Sequence, residues 1–140
     1  MKDLETALKN LPGHTLALCK NGAVLTSNKR GVAPMLNYLK NGQNLKGYSA
    51  ADRVVGKAAA MLFIKAGVAA LYAEVLSQSG LALLKKHGVS VQYGTLTPAI
   101  KNRAGTGLCP MEQAVLTEED IETGVALIAQ KFNQLQSAAK

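Results

Sequence analysis

The sequence predicts an α/β fold, a three-layer α-β-α sandwich whose mixed sheet is opened by an antiparallel hairpin. The hairpin is indicated by Asn21-Gly22, the strongest short-range turn signal, which separates apolar runs at 15–19 and 23–26. The long apolar run 68–76 is typical of a strand covered on both faces. Because a helical segment separates this run from the alternating run 89–93, the two strands are expected to be parallel.

Helices are expected around these strands. Residues 3–11 place Leu and Ala on one face, and Pro12-Gly13 ends that pattern. Ser49 is a favourable N-cap, so a long helix is predicted from 49 to 65, with Gly67 at its end. The other predicted helices cover 79–87, 110–116 and 118–135, and 31–39 is interpreted as a short helix or an irregular turn.

The length of 140 residues fits one domain, with a core at about 14–116 and a C-terminal helix at about 118–136. Hydrophobic residues make up 48% of the chain and aromatic residues only 4%, so small aliphatic side chains must build the core. Cys19 and Cys109 show no metal or disulfide spacing, and neither a secretory leader nor a membrane-spanning run is recognised. A cytoplasmic location is therefore expected.

The net charge is +7, and the excess is concentrated in residues 1–116, which hold 14 Lys and Arg against 5 acidic residues. Such a field keeps a protein soluble and attracts anionic metabolites. The basic residues are scattered and no aromatic residues are interleaved with them, so a dedicated nucleic-acid surface is the less favoured interpretation. The apolar helices also suggest self-association into a homo-oligomer.

The first candidate site is the start of the long predicted helix. Helix starts present unpaired N–H groups and a partial positive charge, which favour anions. Asp52 either caps this helix or moves a proton, and Gly56 allows close packing or close ligand approach. Lys57 either holds an anion or extends its ammonium to solvent past an apolar surface.

The second candidate site is the loop that leads to Pro110. Cys109 is expected at the N-cap, where a helix start favours the thiolate form and makes it a nucleophile; the alternative is a small buried core residue. Glu112 is a capping carboxylate or a general base. Gly107 lets the loop approach a ligand, and Arg103 supplies a positive charge.

Two serines mark a third helix start. Ser77 and Ser79 are interpreted as N-cap residues first and ligand contacts second, and no His follows at a spacing that suggests a catalytic triad.

The order of a hairpin, a buried helix and a central strand that leads into Ser77 resembles the cytidine deaminase-like fold. The segments 52–58 and 101–112 are similar to those of an uncharacterised family of small prokaryotic proteins that shares this fold. Zinc deaminases of this fold bind the metal through a His or Cys ligand and two further Cys ligands. The resemblance implies that the corresponding places in this sequence are near 50–53 and 76–79. This sequence has no His or Cys at those places, so no metal and no cofactor are expected.

Three functions follow as hypotheses. The first is an enzyme, or an enzyme-like binder, of a small anionic or nucleobase-containing metabolite, with Cys109, Asp52, Lys57 and Glu112 as catalytic residues. The second is a non-catalytic ligand-binding or regulatory module that uses the same cleft. The third is a nucleic-acid-binding protein, which would bind more weakly as salt rises.

Overall fold

A single sheet organises the chain in a computed structural model that describes residues 2–102 and 104–138. Within these residues the sheet has five strands and is accompanied by six helices. The strands are β1 (Leu16–Lys20), β2 (Ala23–Ser27), β3 (Ser49–Val55), β4 (Ala70–Ser77) and β5 (Ser90–Thr97). The helices are α1 (Lys2–Lys9), α2 (Ala33–Lys40), α3 (Lys57–Ala66), α4 (Gln78–Lys86), α5 (Pro110–Ala114) and α6 (Ile121–Ala138).

The strands lie in the order β2-β1-β3-β4-β5. β1 pairs antiparallel with β2 and with β3, whereas β3, β4 and β5 are parallel. The hairpin turn at Asn21-Gly22 places both residues at positive φ, 52° and 83°, as a tight primed turn requires. The mixed sheet that opens with an antiparallel hairpin is confirmed.

The predicted helix from 49 to 65 is wrong in its first half. Residues 49–55 form β3, which is hydrogen-bonded to β1 on one side and β4 on the other. Pairing on both sides outweighs the helix preference of Ser49-Ala50-Ala51, because tertiary context overrides weak local propensity. Ser49 is therefore not an N-cap, and α3 begins only at Lys57, after Gly56.

The two faces of the sheet are covered by different helices. On β1, Ala17 and Cys19 pack with Leu11 and Ala7 of the α1 region, while Leu16 and Leu18 belong to the larger core on the opposite face. This alternation is the period of two that a strand imposes on its side chains. α3 and α4 pack side by side in the larger core, and α6 lies against α3. Helices on both faces give the expected α-β-α layers.

Other boundaries moved by a few residues. β5 extends to Thr97, and α6 begins at Ile121 instead of 118. Among the described residues, none of the helices combines the length and apolar character that crossing a membrane requires.

Candidate functional site

The start of α3 is closed by a carboxylate from a distant part of the chain. The two Glu112 side-chain oxygens accept hydrogen bonds from the backbone N–H groups of Lys57, at 2.8 Å, and Ala58, at 2.7 Å. Gly56 makes this approach possible, because a Cβ at that position would lie 2.2 Å from Glu112 Oε1. A negative charge at a helix start is stabilised by the helix dipole and the free N–H groups. Glu112 itself is buried.

The ammonium group of Lys57 is held by the same segment. It donates a hydrogen bond to the Leu116 carbonyl at 3.2 Å and forms an ion pair with Glu119 at 2.5 Å. The Lys57 side chain is only 10% exposed, whereas that of Glu119 is 63% exposed. The hydrogen bond and charge of Lys57 lower the pKa of the Glu119 carboxyl, and Lys86 adds a smaller attraction. Residues 112–119 thus wrap around the start of α3.

The start of α4 touches the start of α3. Ser77 is the N-cap of α4, and its Oγ accepts a hydrogen bond from the Gly80 N–H at 3.0 Å and lies 3.2 Å from Ser79 Oγ. A Cβ on Gly80 would stand 3.1 Å from the Gly56 carbonyl oxygen. The two helix starts are therefore in direct contact.

Cys109 and Gly56 both line a small cavity. Cys109 is the N-cap of α5, with Pro110 at the first helical position, but its thiol makes no capping hydrogen bond. The cavity has a volume of about 120 Å³ and includes Glu112 in its lining. Its other walls are mostly apolar: Gly31, Val32, Val54, Ala58, Ala59, Ile100 and Met111. We call it the Cys109–Glu112 cavity.

A second cavity, of about 180 Å³, lies between α3 and α4. Lys57, Ser79, Lys86 and Glu119 line it with polar groups, and Ala82 and Leu83 complete it. We call it the Lys57–Lys86 cavity. Lys57 contributes its ammonium here, while its backbone N–H holds the carboxylate that lines the other cavity.

Asp52 lines neither cavity. It lies within β3, where Leu16 and Ala73 are its register partners, and its Oδ1 accepts a hydrogen bond from the Arg53 N–H at 2.8 Å. Burial raises the pKa of the Asp52 carboxyl to about 7, against the opposing effect of the Arg53 hydrogen bond and charge. The capping role considered for Asp52 does not apply, because this part of the chain is a strand.

The loop before Cys109 makes its own turn. Gly107 accepts a hydrogen bond from the Asn102 N–H at 2.8 Å, and no atom lies within 4 Å of a Cβ placed on it. Arg103 lies outside the described residues. The predicted cluster is thus divided: Gly56, Cys109 and Glu112 meet in one cavity, and Lys57 and Ser79 meet in the other.

The two other charged residues of the second cavity, Lys86 and Glu119, were missed from the sequence. Lys86 follows Lys85 near the end of α4, so the pair signalled only positive charge. Glu119 lies in an acidic stretch at 118–120, for which the sequence predicts the start of the last helix. Nothing local indicates that one carboxylate of this stretch reaches Lys57.

The zinc site implied by the deaminase resemblance does not fit these residues. The facing helix starts offer Lys57 and Ala58 on one side and Ser77 and Ser79 on the other, without the thiolate or imidazole ligands that zinc prefers. Glu112 and Ser77 direct their oxygens to backbone N–H groups instead. Among the described residues, no three His, Cys, Asp or Glu side chains come together as a metal site.

A family model and a solved structure of the same family match most of this chain. The family model described as a domain of unknown function (DUF1893) matches residues 7–132. A crystal structure of a DUF1893 family protein from Thermotoga maritima is 29% identical and superposes with a TM-score of 0.85. That match covers 93% of this chain and 90% of the other. No curated protein matches.

Two deaminases are among the other solved structures that match, at lower similarity. The apo dCMP deaminase of cyanophage S-TIM5 is 15% identical, with a TM-score of 0.44, over 69% of this chain and 94% of that one. A diaminohydroxyphosphoribosylaminopyrimidine deaminase/5-amino-6-(5-phosphoribosylamino)uracil reductase from Thermotoga maritima is 18% identical, with a TM-score of 0.42. That match covers 66% of this chain and 34% of the other.

Proposed function

The chain belongs to the DUF1893 family, a domain of unknown function, and from this premise we propose a function based on the site itself. The protein is an enzyme or an enzyme-like binder whose ligand is a small ring-shaped metabolite of the nucleobase type. The ligand occupies the Cys109–Glu112 cavity. The observation that carries this proposal is that Cys109 and Glu112, whose carboxylate is fixed by two hydrogen bonds, line the same small, mostly apolar cavity.

The size and walls of the cavity suit a single ring. A volume of about 120 Å³ is room for about four water molecules at ~30 Å³ each. Apolar walls with a few fixed polar groups are typical of small-molecule sites, in which the polar groups select the ligand. The apolar side chains of Val32, Val54 and Ile100 would contact the faces or edges of the ring.

Glu112 supplies the selective polar group. An ionised carboxylate has about four acceptor positions, and the α3 N–H groups use two of them. The remaining positions suit adjacent N–H donors, such as the amino group and ring N–H of a nucleobase. The carboxylate already occupies the first N–H groups of α3, which would otherwise suit an anion, so an uncharged ring is favoured in this cavity.

Cys109 is the group that would distinguish an enzyme from a binding module. Cys109 is partly exposed and lines the cavity, and its thiol makes no capping hydrogen bond. In an enzyme its sulfur would add to one carbon of a ring double bond while the thiol proton passes to the other atom of that bond, and the reverse step would release the thiol. In a binding or regulatory module it is a contact only, and Cys109→Ser would keep both binding and function.

The test is ligand-observed NMR titration with free cytosine, uracil, adenine and guanine. Ala59 lines the cavity, so Ala59→Leu should block it without removing a hydrogen bond and should weaken binding about tenfold or more, the effect of about 1.4 kcal/mol. Ala82→Leu, the same change in the Lys57–Lys86 cavity, is the matched control and should bind like the wild type. If no base binds, or both variants bind equally, the proposal is wrong.

We also infer that the protein works in a reducing compartment such as the cytoplasm. Cys19 and Cys109 are both free, and a free thiol in a ligand cavity persists only where oxidants are kept low.

A further inference from the structure

We propose that the Lys57–Lys86 cavity binds a phosphoryl group or a similar small oxyanion, and that the Glu119 carboxylate competes with this anion for the same place. The proposal is independent of ring binding in the Cys109–Glu112 cavity. It assigns a role to a buried lysine, a surface lysine and a serine hydroxyl that line one cavity between α3 and α4.

The base of the cavity is a cation that is largely removed from water. The Lys57 side chain is only 10% exposed, and burying an ammonium is costly unless it is paired. One partner is the Leu116 carbonyl, which is neutral, and the other is Glu119. Glu119 is 63% exposed and follows Thr117 and Glu118 in the segment between α5 and α6. A largely exposed carboxylate of this kind can be replaced by another anion without exposing core residues.

The positive charge at this place comes from two side chains. Both Lys57 and Lys86 lower the pKa of the Glu119 carboxyl, so the place where this carboxylate lies favours negative charge. Ser79, on the first turn of α4, adds a hydroxyl donor to the lining. Two ammonium groups and a hydroxyl are the donors that suit a tetrahedral oxyanion, which accepts hydrogen bonds on several sides.

The volume also agrees with a phosphoryl group. A cavity of about 180 Å³ corresponds to about six water molecules at ~30 Å³ each, enough for a phosphate and part of its hydration. The net charge of +7 would raise the local concentration of such anions near the surface.

The experiment is a titration followed by ³¹P NMR at constant ionic strength, with inorganic phosphate in one arm and ribose 5-phosphate in the other. Tighter binding of the ester indicates the phosphoryl group of a metabolite, and tighter binding of phosphate indicates the free ion. Glu119→Gln removes the competing charge and should tighten binding about fivefold, while Lys86→Gln should weaken it by a similar factor, since one unit charge at ~4 Å in water has an effect of about this size.

Two neighbouring residues provide matched controls. Lys85→Gln changes the net charge as Lys86→Gln does, and Glu118→Gln changes it as Glu119→Gln does. Lys85 and Glu118 do not line the cavity, so both control variants should bind the anions like the wild type. Ala59→Leu should also leave phosphate affinity unchanged, which separates this proposal from ring binding. The proposal is overturned if neither phosphate nor ribose 5-phosphate binds. It is also overturned if Lys85→Gln and Lys86→Gln change the affinity equally.

Discussion

The carboxylate of Glu112 occupies the space beside Gly56 that any other residue would fill with its Cβ. The two residues are 56 positions apart in the sequence, yet an added Cβ would lie 2.2, 2.5 and 2.8 Å from the three carboxylate atoms. The φ of Gly56 is −103°, which lies outside the left-handed region, so the requirement for glycine is steric and comes first from Glu112, which supplies the three nearest atoms.

Gly56→Ala should therefore destabilise the protein by displacing the carboxylate from its two N–H donors. We expect a loss of about 2–4 kcal/mol in the free energy of unfolding, the combined effect of overpacking and of lost charge-assisted hydrogen bonds. Urea denaturation followed by circular dichroism measures it.

Two further variants check this explanation. Gly107→Ala, where a Cβ meets no atom within 4 Å, should change stability by less than about 0.5 kcal/mol. In a Glu112→Ala background, Gly56→Ala should cost much less than in the wild type, because the clash is gone. Equal costs in both backgrounds would contradict the steric account.

Arg53 connects the sheet to the chain that follows α1. Its guanidinium donates to the Leu11 carbonyl at 3.0 Å and to the His14 carbonyl at 3.1 Å, and it pairs with Glu74 at 2.7 Å. Because lysine cannot form this fork, Arg53→Lys should cost about 1–2 kcal/mol. Hydrogen exchange should quicken in α1 above all. Arg30 is exposed, so Arg30→Lys should change neither the free energy of unfolding nor hydrogen exchange in α1.

Asp52 makes the stability of the folded protein depend on pH between about 4 and 7. Its carboxyl titrates near 3.8 when unfolded but at about 7 when folded, so between these values the folded state holds the extra proton. Stability must therefore fall as pH rises from about 4 to 7, by at most about 1.4 kcal/mol per unit. Asp52→Asn should remove this decline in thermal unfolding measured across the range.

Asp120 provides a control of opposite sign for the pH experiment. The Thr123 N–H and hydroxyl lower the pKa of its carboxyl, so its contribution is present above about 3.8 and is lost as pH falls further. Asp120→Asn should therefore leave the decline in stability between about pH 4 and 7 unchanged. A decline that persists in Asp52→Asn would assign the titration to another group.

The two cysteines should differ strongly in reactivity. Cys109 is partly exposed in its cavity, whereas Cys19 is fully buried, and burial raises the pKa of its thiol above the ordinary value of 9.0. Iodoacetamide should modify Cys109 first, and Cys19 only after unfolding, as mass spectrometry of the intact protein would record. Cys109→Ser should abolish the fast modification, and rapid labelling of Cys19 in that variant would disprove the buried assignment.

Much of the fold was accessible from local patterns, and β3 shows why one strand was not. The turn at Asn21-Gly22 and the apolar run of β4 carry strong local signals. Residues 49–55 instead include two alanines and a possible capping pair, which favour a helix locally. The strand exists because β1 and β4 bind it from both sides, and the remaining hint was Val54-Val55 before Gly56.

The candidate site was predicted in its residues more than in its arrangement. Cys109 as an N-cap and Ser77 as an N-cap follow from their neighbours, Pro110 and the start of α4. Glu112 is interpreted from the sequence as a capping carboxylate of its own helix or as a general base, and its oxygens instead accept from the first N–H groups of α3. Spacing within a short window cannot indicate a partner 54 or 55 residues away, so the division into two cavities emerges only in three dimensions.

The long sequence separation of this cap has a consequence for synthesis on the ribosome. The first turn of α3 stays incomplete until residue 112 has left the exit tunnel, several seconds after residue 57 at about 5–20 residues per second. During that delay, water is the partner of the Lys57 and Ala58 amide hydrogens that Glu112 later accepts. In nascent chains that end before α5, the first turn of α3 should therefore be less stable. Release of the C-terminal part of the chain should stabilise this turn and the helices that pack against α3.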